Sequence, residues 1–167
     1  AYVEDCSHAH FSQYKGRFVG TFGTVSCFSL QGNKLLSGGE GGFLLTDEQD
    51  IYERAVLLGH NLKRPFTEVH NPIYQGLERT GFGLKLRMHP LAAVIVLHLL
   101  HHHCFGWIAS RAKVLEYFQK TLAENTPLRP MARRDFVTSM GAWYGFKPRC
   151  DFKRLGIDRN DLCRHMK

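Results

Sequence analysis

The chain contains 167 residues, of which 44% are hydrophobic and 22% are charged, and its formal net charge is +7. This length and apolar content suit one domain with its own core, and they exclude an intrinsically disordered chain. The five cysteines are odd in number and form no C-x-x-C pair. They predict reduced thiols in a cytoplasmic protein instead of a disulfide-stabilised secreted fold.

The start of the chain carries no targeting pattern. Because no basic region precedes an apolar run there, no signal peptide is predicted. The opening residues 1–5 (AYVED) are strand-like without a preceding turn, so we expect them to belong to a longer protein. The most apolar run, 91–100 (LAAVIVLHLL), has about half the length of a membrane span and predicts a buried helix.

The predicted elements begin with short β-rich runs separated by glycines and continue with long helical patterns. The strands are predicted at Tyr2–Glu4 (with Asp5 at the edge), Val19–Thr21, Val25–Leu30, Phe43–Thr46 and Ala142–Phe146. The helices are predicted from Thr46–Gln49 onward, at Pro90–His102 and at Trp107–Glu124. A long surface loop is expected over 61–83. This order favours an α/β or an α+β fold.

The glycine-rich segment 31–42 (QGNKLLSGGEGG) stands between two predicted strands. Such glycine density implies positive φ angles or a close approach of the backbone to another group. Lys34 lies within it, Ser29 precedes it, and Asp5 ends the first strand. Together these residues meet the needs of pyridoxal 5′-phosphate (PLP), which requires a lysine amine, a carboxylate at its ring nitrogen and donors for its phosphate.

Several motifs in order resemble the DegT/DnrJ/EryC1/StrS sugar aminotransferase family, whose members are PLP-dependent enzymes of the aspartate aminotransferase fold. They are residues 3–10 (VEDCSHAH), 14–17 (YKGR), 19–23 (VGTFG), 27–30 (CFSL), Lys34, 39–42 (GEGG) and 84–93 (LKLRMHPLAA). The resemblance implies an α/β fold, namely the central part of a large domain with a mainly parallel sheet flanked by helices. It also implies the start of a small C-terminal domain.

The resemblance also implies a role for each matching residue. Lys34 would be the Schiff-base lysine and proton shuttle, and Asp5 would pair with the pyridinium nitrogen. His8 would lie against the ring face or the 3′-oxygen of the cofactor, and Ser29 would bind its phosphate. Lys85, where the family most often has Asn, would reach the phosphate or substrate of a neighbouring subunit. Because Lys34 is retained, the family's dehydratase branch, which has His there, is disfavoured.

The implied activity is transfer of an amino group from glutamate or glutamine to a nucleotide-linked keto-sugar or a cyclitol ketone, by a homodimer with shared active sites. The implied domains are 1–104 (C-terminal part of the PLP-binding large domain), 105–125 (connecting helix) and 126–167 (start of a truncated small domain). The alternative is an inactive, truncated or degenerate remnant with a binding role or none. The isolated piece is expected to lack activity, because half of the cofactor shell would be missing.

Two further features are interpreted as ordinary surface. Basic residues cluster towards the end of the chain without a nucleic-acid-binding motif, so we expect a solvated face or a subunit contact, with no nucleic acid or membrane bound. They are Arg129, Arg133, Arg134, Lys147, Arg149, Lys153, Arg154, Arg159, Arg164 and Lys167. His98 and His102 share a helix face, but too few further ligands accompany them to predict a metal.

Overall fold

A computed structural model describes residues 1–61, 63–79 and 84–166. Its strands are β1 (Val3–Asp5), β2 (Gln13–Tyr14), β3 (Arg17–Phe18), β4 (Val25–Ser29), β5 (Gly42–Leu45) and β6 (Val137–Ser139). Its helices are α1 (Gln49–Gly59), α2 (Lys63–Glu68), α3 (Pro90–His102), α4 (Cys104–Asn125), α5 (Phe152–Leu155) and α6 (Arg159–His165), with a 3₁₀ turn at Pro72–Tyr74.

Two small sheets organise the strands. In the first, β4 pairs in parallel with β1 and antiparallel with β5, which aligns Asp5 with Cys27 and Ser29 with Gly42. In the second, β2 is central and pairs antiparallel with both β3 and β6. The β2–β6 pairing brings the later part of the chain back to the segment that follows Asp5. The mixed α/β architecture agrees with the predicted fold class.

Two apolar clusters hold the elements together. Val56 and Leu57 of α1 pack with Val69 and Tyr74, so α1 is fixed to the turn that follows α2. The second cluster joins the sheet to the helices and contains Leu30, Leu36 and Cys104, with Phe11, Met88, Val96, Leu99, Leu100 and Ile108 packed around it. Since Leu30 and Leu36 flank the turn with Lys34, this cluster also fixes the position of that turn.

Two of the predicted strands are wrong. Val19–Thr21 is a turn, because the backbone N–H groups of Gly20, Phe22 and Gly23 all bond to the Glu4 carboxylate instead of to a strand. Ala142–Phe146 is also irregular, and the nearby strand is β6.

The predicted long loop over 61–83 contains α2 and the 3₁₀ turn, which Glu53 anchors by accepting from the N–H groups of His70 and Asn71. Residues 62 and 80–83 of that loop, and Lys167 of the basic cluster, lie outside the described residues.

The apolar helix α3 was predicted to be buried, but the structure buries only one of its faces. Val96, Leu99 and Leu100 pack on the second cluster, whereas the opposite face is open to solvent, with Leu91, Val94, Ile95 and Leu97 each more than half exposed. Within the described segments, no one helix has the length and apolarity to cross a membrane. Only α3 and α4 taken together, bent by 65° at their junction, meet that criterion of length and composition.

Candidate functional site

Asp5 presents a carboxylate at the end of β1. Its Oδ1 accepts hydrogen bonds from the Ser7 hydroxyl at 2.6 Å and from the Ser7 N–H at 3.0 Å. These two donors, the hydroxyl foremost, lower the pKa of Asp5, and the positive charges of His8 and Lys34 lower it further. Asp5 is therefore an anion at neutral pH, held in one orientation and electrostatically coupled to Lys34.

The turn that bears Lys34 follows β4 directly. The Lys34 N–H donates to the Gln31 carbonyl at 2.9 Å, and the next two residues, Leu35 and Leu36, are buried. The predicted role of the glycines is confirmed at Gly39 and Gly41, whose φ angles are +90° and +127°. A Cβ on Gly42 would lie 2.6 Å from the Phe28 carbonyl oxygen, so this position demands close backbone approach.

His8 and Lys34 meet at the ring of Tyr144. The imidazole of His8 stacks on this ring with centroids 3.8 Å apart and planes 4° from parallel. The Lys34 Nζ lies over the same ring, 4.3 Å from its centroid, which is a cation–π contact. Two of the predicted site residues, His8 and Lys34, thus contact the same ring, and Asp5 is electrostatically coupled to both.

Tyr144 is a site residue that sequence reasoning missed. It comes 110 positions after Lys34, in a segment assigned to a strand, so no local pattern points to it. Only the glycines on both sides, Gly141 and Gly145, mark an unusual backbone, and their φ angles are +54° and +72°.

His10 is a second residue that sequence reasoning missed, and it lies two positions after His8. It is only 2% exposed, and among the described residues its buried Nε2 has no hydrogen-bond partner. Burial lowers the pKa of His10 and outweighs the opposing effect of the Ser29 backbone, while the charges of Lys34 and His8 lower it further. The imidazole is therefore neutral at physiological pH.

The two predicted phosphate ligands differ in placement. Ser29 ends β4, is half-buried and accepts from the Gln31 N–H at 3.3 Å, so it lies close to the Lys34 turn. Lys85 is exposed in the extended segment before α3, which is tied to α1 by a bond from the Leu86 N–H to the Gly59 carbonyl. In the described part of the chain, no contact joins Lys85 to Asp5, His8 or Lys34.

A cavity of about 500 Å³ adjoins the site and is lined by His8, Tyr144, Trp143, Met140 and Lys147, among others. A larger cavity of about 1010 Å³ lies in the C-terminal segment, among Arg129, Arg149, Lys153 and Arg154. We take the smaller cavity as the candidate site, because it contains His8 and the Tyr144 ring. Among the described residues, no three His, Cys, Asp or Glu side chains group closely enough to hold a metal.

Comparison with solved structures defines the class of fold. The chain superposes on the aminotransferase TlmJ from Streptoalloteichus hindustanus with a TM-score of 0.73, at 26% identity, over 97% of this chain and 40% of that one. The model of the DegT/DnrJ/EryC1/StrS aminotransferase family matches residues 1–167. The chain belongs to this family, as its motifs predict.

Curated relatives share the same region. A protein of Streptoalloteichus tenebrarius, assigned as an L-glutamine:3-amino-2,3-dideoxy-scyllo-inosose aminotransferase, is 45% identical over 95% of this chain and 36% of its own length. The GDP-perosamine synthase of Escherichia coli O157:H7 is 32% identical over 72% of this chain and 30% of its own length. The chain thus spans about a third of the length of these relatives.

Proposed function

We propose that this chain forms the lysine-bearing part of a PLP-dependent aminotransferase. The enzyme would transfer an amino group from glutamate or glutamine to a nucleotide-linked keto-sugar or a cyclitol ketone. The observation that carries this proposal is that the Lys34 amine and the His8 ring contact one aromatic ring, while the Asp5 carboxylate is electrostatically coupled to both residues. Membership of the family, and relatives named for cyclitol and sugar chemistry, support the substrate class.

The residues present fit PLP, which when bound supplies an electrophilic carbonyl and an electron-withdrawing pyridinium ring. Asp5, an oriented anion, would hold the proton on the ring nitrogen. His8 offers a flat face that already accepts an aromatic ring at van der Waals distance. Ser29 would donate its hydroxyl to the phosphate, and Lys85 would bring a positive charge to the phosphate or substrate of a neighbouring subunit.

Lys34 is the residue that we assign to proton transfer. Its amine is carried on a four-carbon stem from a turn anchored by buried Leu35 and Leu36, so the backbone is fixed while Nζ can move. A primary amine in such a place can take a proton from a substrate carbon and return it to another atom within reach. The nearby Asp5 carboxylate is electrostatically coupled to this amine.

The second candidate is a remnant of this family that has a binding role or none. It is favoured by the cavity of about 500 Å³, because the described residues that line it include His8 but not Asp5, Ser29 or Lys34.

We also propose that the enzyme acts as a cytoplasmic homodimer, supported by five free cysteines and by the exposed apolar face of α3. The domain boundaries at 104 and 125 stay predictions.

Addition of PLP to the chain is the direct test. We expect a new absorption band in the visible region that Lys34→Ala removes, because this substitution deletes the amine that would hold the cofactor. The matched control is Lys63→Ala, which removes an exposed lysine at the start of α2 and should keep the band.

The remnant is favoured if the chain shows no band with PLP, or if both lysine variants keep one. If a band that depends on Lys34 forms, adding glutamate or glutamine then tests amino transfer. Conversion of the band to a species that absorbs at shorter wavelength supports the aminotransferase. A band unchanged by both donors supports a binding role alone.

A further inference from the structure

The face of the His8 imidazole is already covered in this structure. The Tyr144 ring lies parallel to it at a centroid distance of 3.8 Å, which is direct van der Waals contact. No second ring can enter between two rings at that separation. A planar ligand on this face of His8 and the Tyr144 side chain therefore exclude each other.

Tyr144 also holds the Lys34 amine. Nζ lies 4.3 Å from the centre of the Tyr144 ring, and a cation–π contact stabilises the charged form of an amine. The same ring therefore covers His8 and engages Lys34 as a cation. Displacement of the ring therefore also breaks its contact with the Lys34 amine.

The backbone is anchored on both sides of Tyr144. Ala142 donates its N–H to the His10 carbonyl at 2.7 Å and accepts from the Arg111 guanidinium at 2.8 Å, and Trp143 is only 8% exposed. On the other side, Phe146 packs edge-on against Phe118 of α4, with ring centroids 5.1 Å apart. A displacement of the Tyr144 ring is therefore a rotation of its side chain.

Tyr144 itself is held mainly by ring contacts. Within the described residues its hydroxyl has no hydrogen-bond partner, and the side chain is half-buried. Stacking and cation–π contacts are weak individually, so a ligand that replaces both can displace the ring.

We propose that Tyr144 is a gate residue that occupies the ring site on His8 in the ligand-free chain. The ring must rotate away before a phosphorylated pyridine ring can bind on this face of His8. This inference rests on the proposed function, since that function supplies the ring that competes with Tyr144.

The test measures the affinity of the chain for 4′-deoxypyridoxine 5′-phosphate, a planar ring that carries no carbonyl and so cannot bond to Lys34. Titration calorimetry compares the wild-type chain with Tyr144→Ala and Tyr144→Phe. We expect Tyr144→Ala to bind about tenfold more tightly, because the ring contacts no longer have to be broken. Tyr144→Phe keeps the ring, and its affinity should match that of the wild type.

The other outcomes separate the gate from the function on which it rests. Equal or weaker binding by Tyr144→Ala overturns the gate and leaves the ring site in place. Failure of all three chains to bind the probe overturns both proposals.

A second measurement uses the unmutated chain, so it does not depend on the folding of a variant. In the NMR spectrum of the wild type, the His8 ring protons should show an upfield ring-current shift without ligand. Addition of the probe should move the Tyr144 ring signals towards those of a solvent-exposed tyrosine. Tyr144 signals that stay unchanged when the probe binds overturn the gate.

Discussion

Buried titratable side chains flank Asp5 in the chain. Glu4 and His10 lie on either side of Asp5 in the chain, and both are almost inaccessible to solvent. Cys6, next to Asp5, is buried as well, and burial raises the pKa of its thiol to about 11. These groups do not face a ligand. They hold the backbone that positions Asp5 and His8, so their ionisation is linked to the stability of the site.

His10 is expected to make folding sensitive to pH. Its pKa lies below the ordinary value of 6.5, so the unfolded chain binds a proton more readily than the folded one. Stability is complete above pH 6.5 and falls as the pH decreases below it. His60, whose pKa is lowered by burial and by Arg64 and Arg87, adds to this slope.

Urea unfolding between pH 8 and pH 5 measures the slope. His10→Phe should reduce it, by at most about 1.4 kcal/mol per pH unit. The control His101→Phe removes an exposed histidine and should leave the slope as it is. If His10→Phe also leaves the slope unaltered, His10 is not held neutral in the folded chain.

At the scale of elements, β1 and the turn over 19–24 form one unit. Three backbone N–H groups, those of Gly20, Phe22 and Gly23, donate to the Glu4 carboxylate at 2.6–2.8 Å. Burial raises the pKa of Glu4, but these donors and Arg17 outweigh it, so the pKa lies below its usual value. The carboxylate replaces the strand partners that this turn lacks, and it fixes the strand that ends at Asp5.

Glu4→Gln should destabilise the chain by about 2 kcal/mol or more, because the amide that replaces one oxygen cannot accept the hydrogen bonds made there. The measurement is the free energy of unfolding in urea at pH 7. Glu124→Gln removes an exposed carboxylate whose ion pair with Lys120 is 3.9 Å long, and it should cost less than about 0.5 kcal/mol. Equal effects of the two substitutions would contradict the role assigned to Glu4.

At the scale of the whole molecule, the exposed face of α3 is an apolar surface that no described element covers. The other face of the helix packs on the cluster around Leu30, Leu36 and Cys104, so its orientation is set by the core. Leu91, Val94, Ile95 and Leu97 are then left outside. Exposed apolar surface of this kind marks an interaction site, which agrees with the proposed homodimer.

We expect the chain to self-associate through α3. The double variant Val94→Glu/Leu97→Glu should shift the sedimentation equilibrium towards the monomer by about tenfold or more, since it places two like charges in the apolar contact. Ser110→Glu adds a charge at an exposed position of α4 and should not change the equilibrium. The prediction fails if the wild type is monomeric at the highest concentration, or if the double variant associates equally well.

Local rules explain the parts of the fold that the sequence predicted. The strands ending at Asp5 and Ser29, the helix from Pro90 to His102 and the glycine-rich turn around Lys34 all follow from side-chain alternation, helical spacing and glycine conformations within a few residues. Family resemblance added the expectation that Asp5, His8 and Lys34 share one site. In the structure His8 and Lys34 contact one ring and Asp5 is electrostatically coupled to both, whereas the role of Lys85 at a neighbouring subunit stays a prediction.

Only the tertiary structure decided which distant residues complete the site. Tyr144 reaches His8 because β6 pairs with β2, which places Ser139 opposite Gln13 across 126 positions of sequence. Pairing at that separation depends on how the whole chain packs, so no pattern in the neighbourhood of Tyr144 predicts it. The burial of His10 and the exposure of one face of α3 also depend on the tertiary structure, because they are set by which elements pack against His10 and against α3. The sequence by itself determined the order of the elements, and it predicted Asp5, His8, Ser29 and Lys34 as candidate site residues.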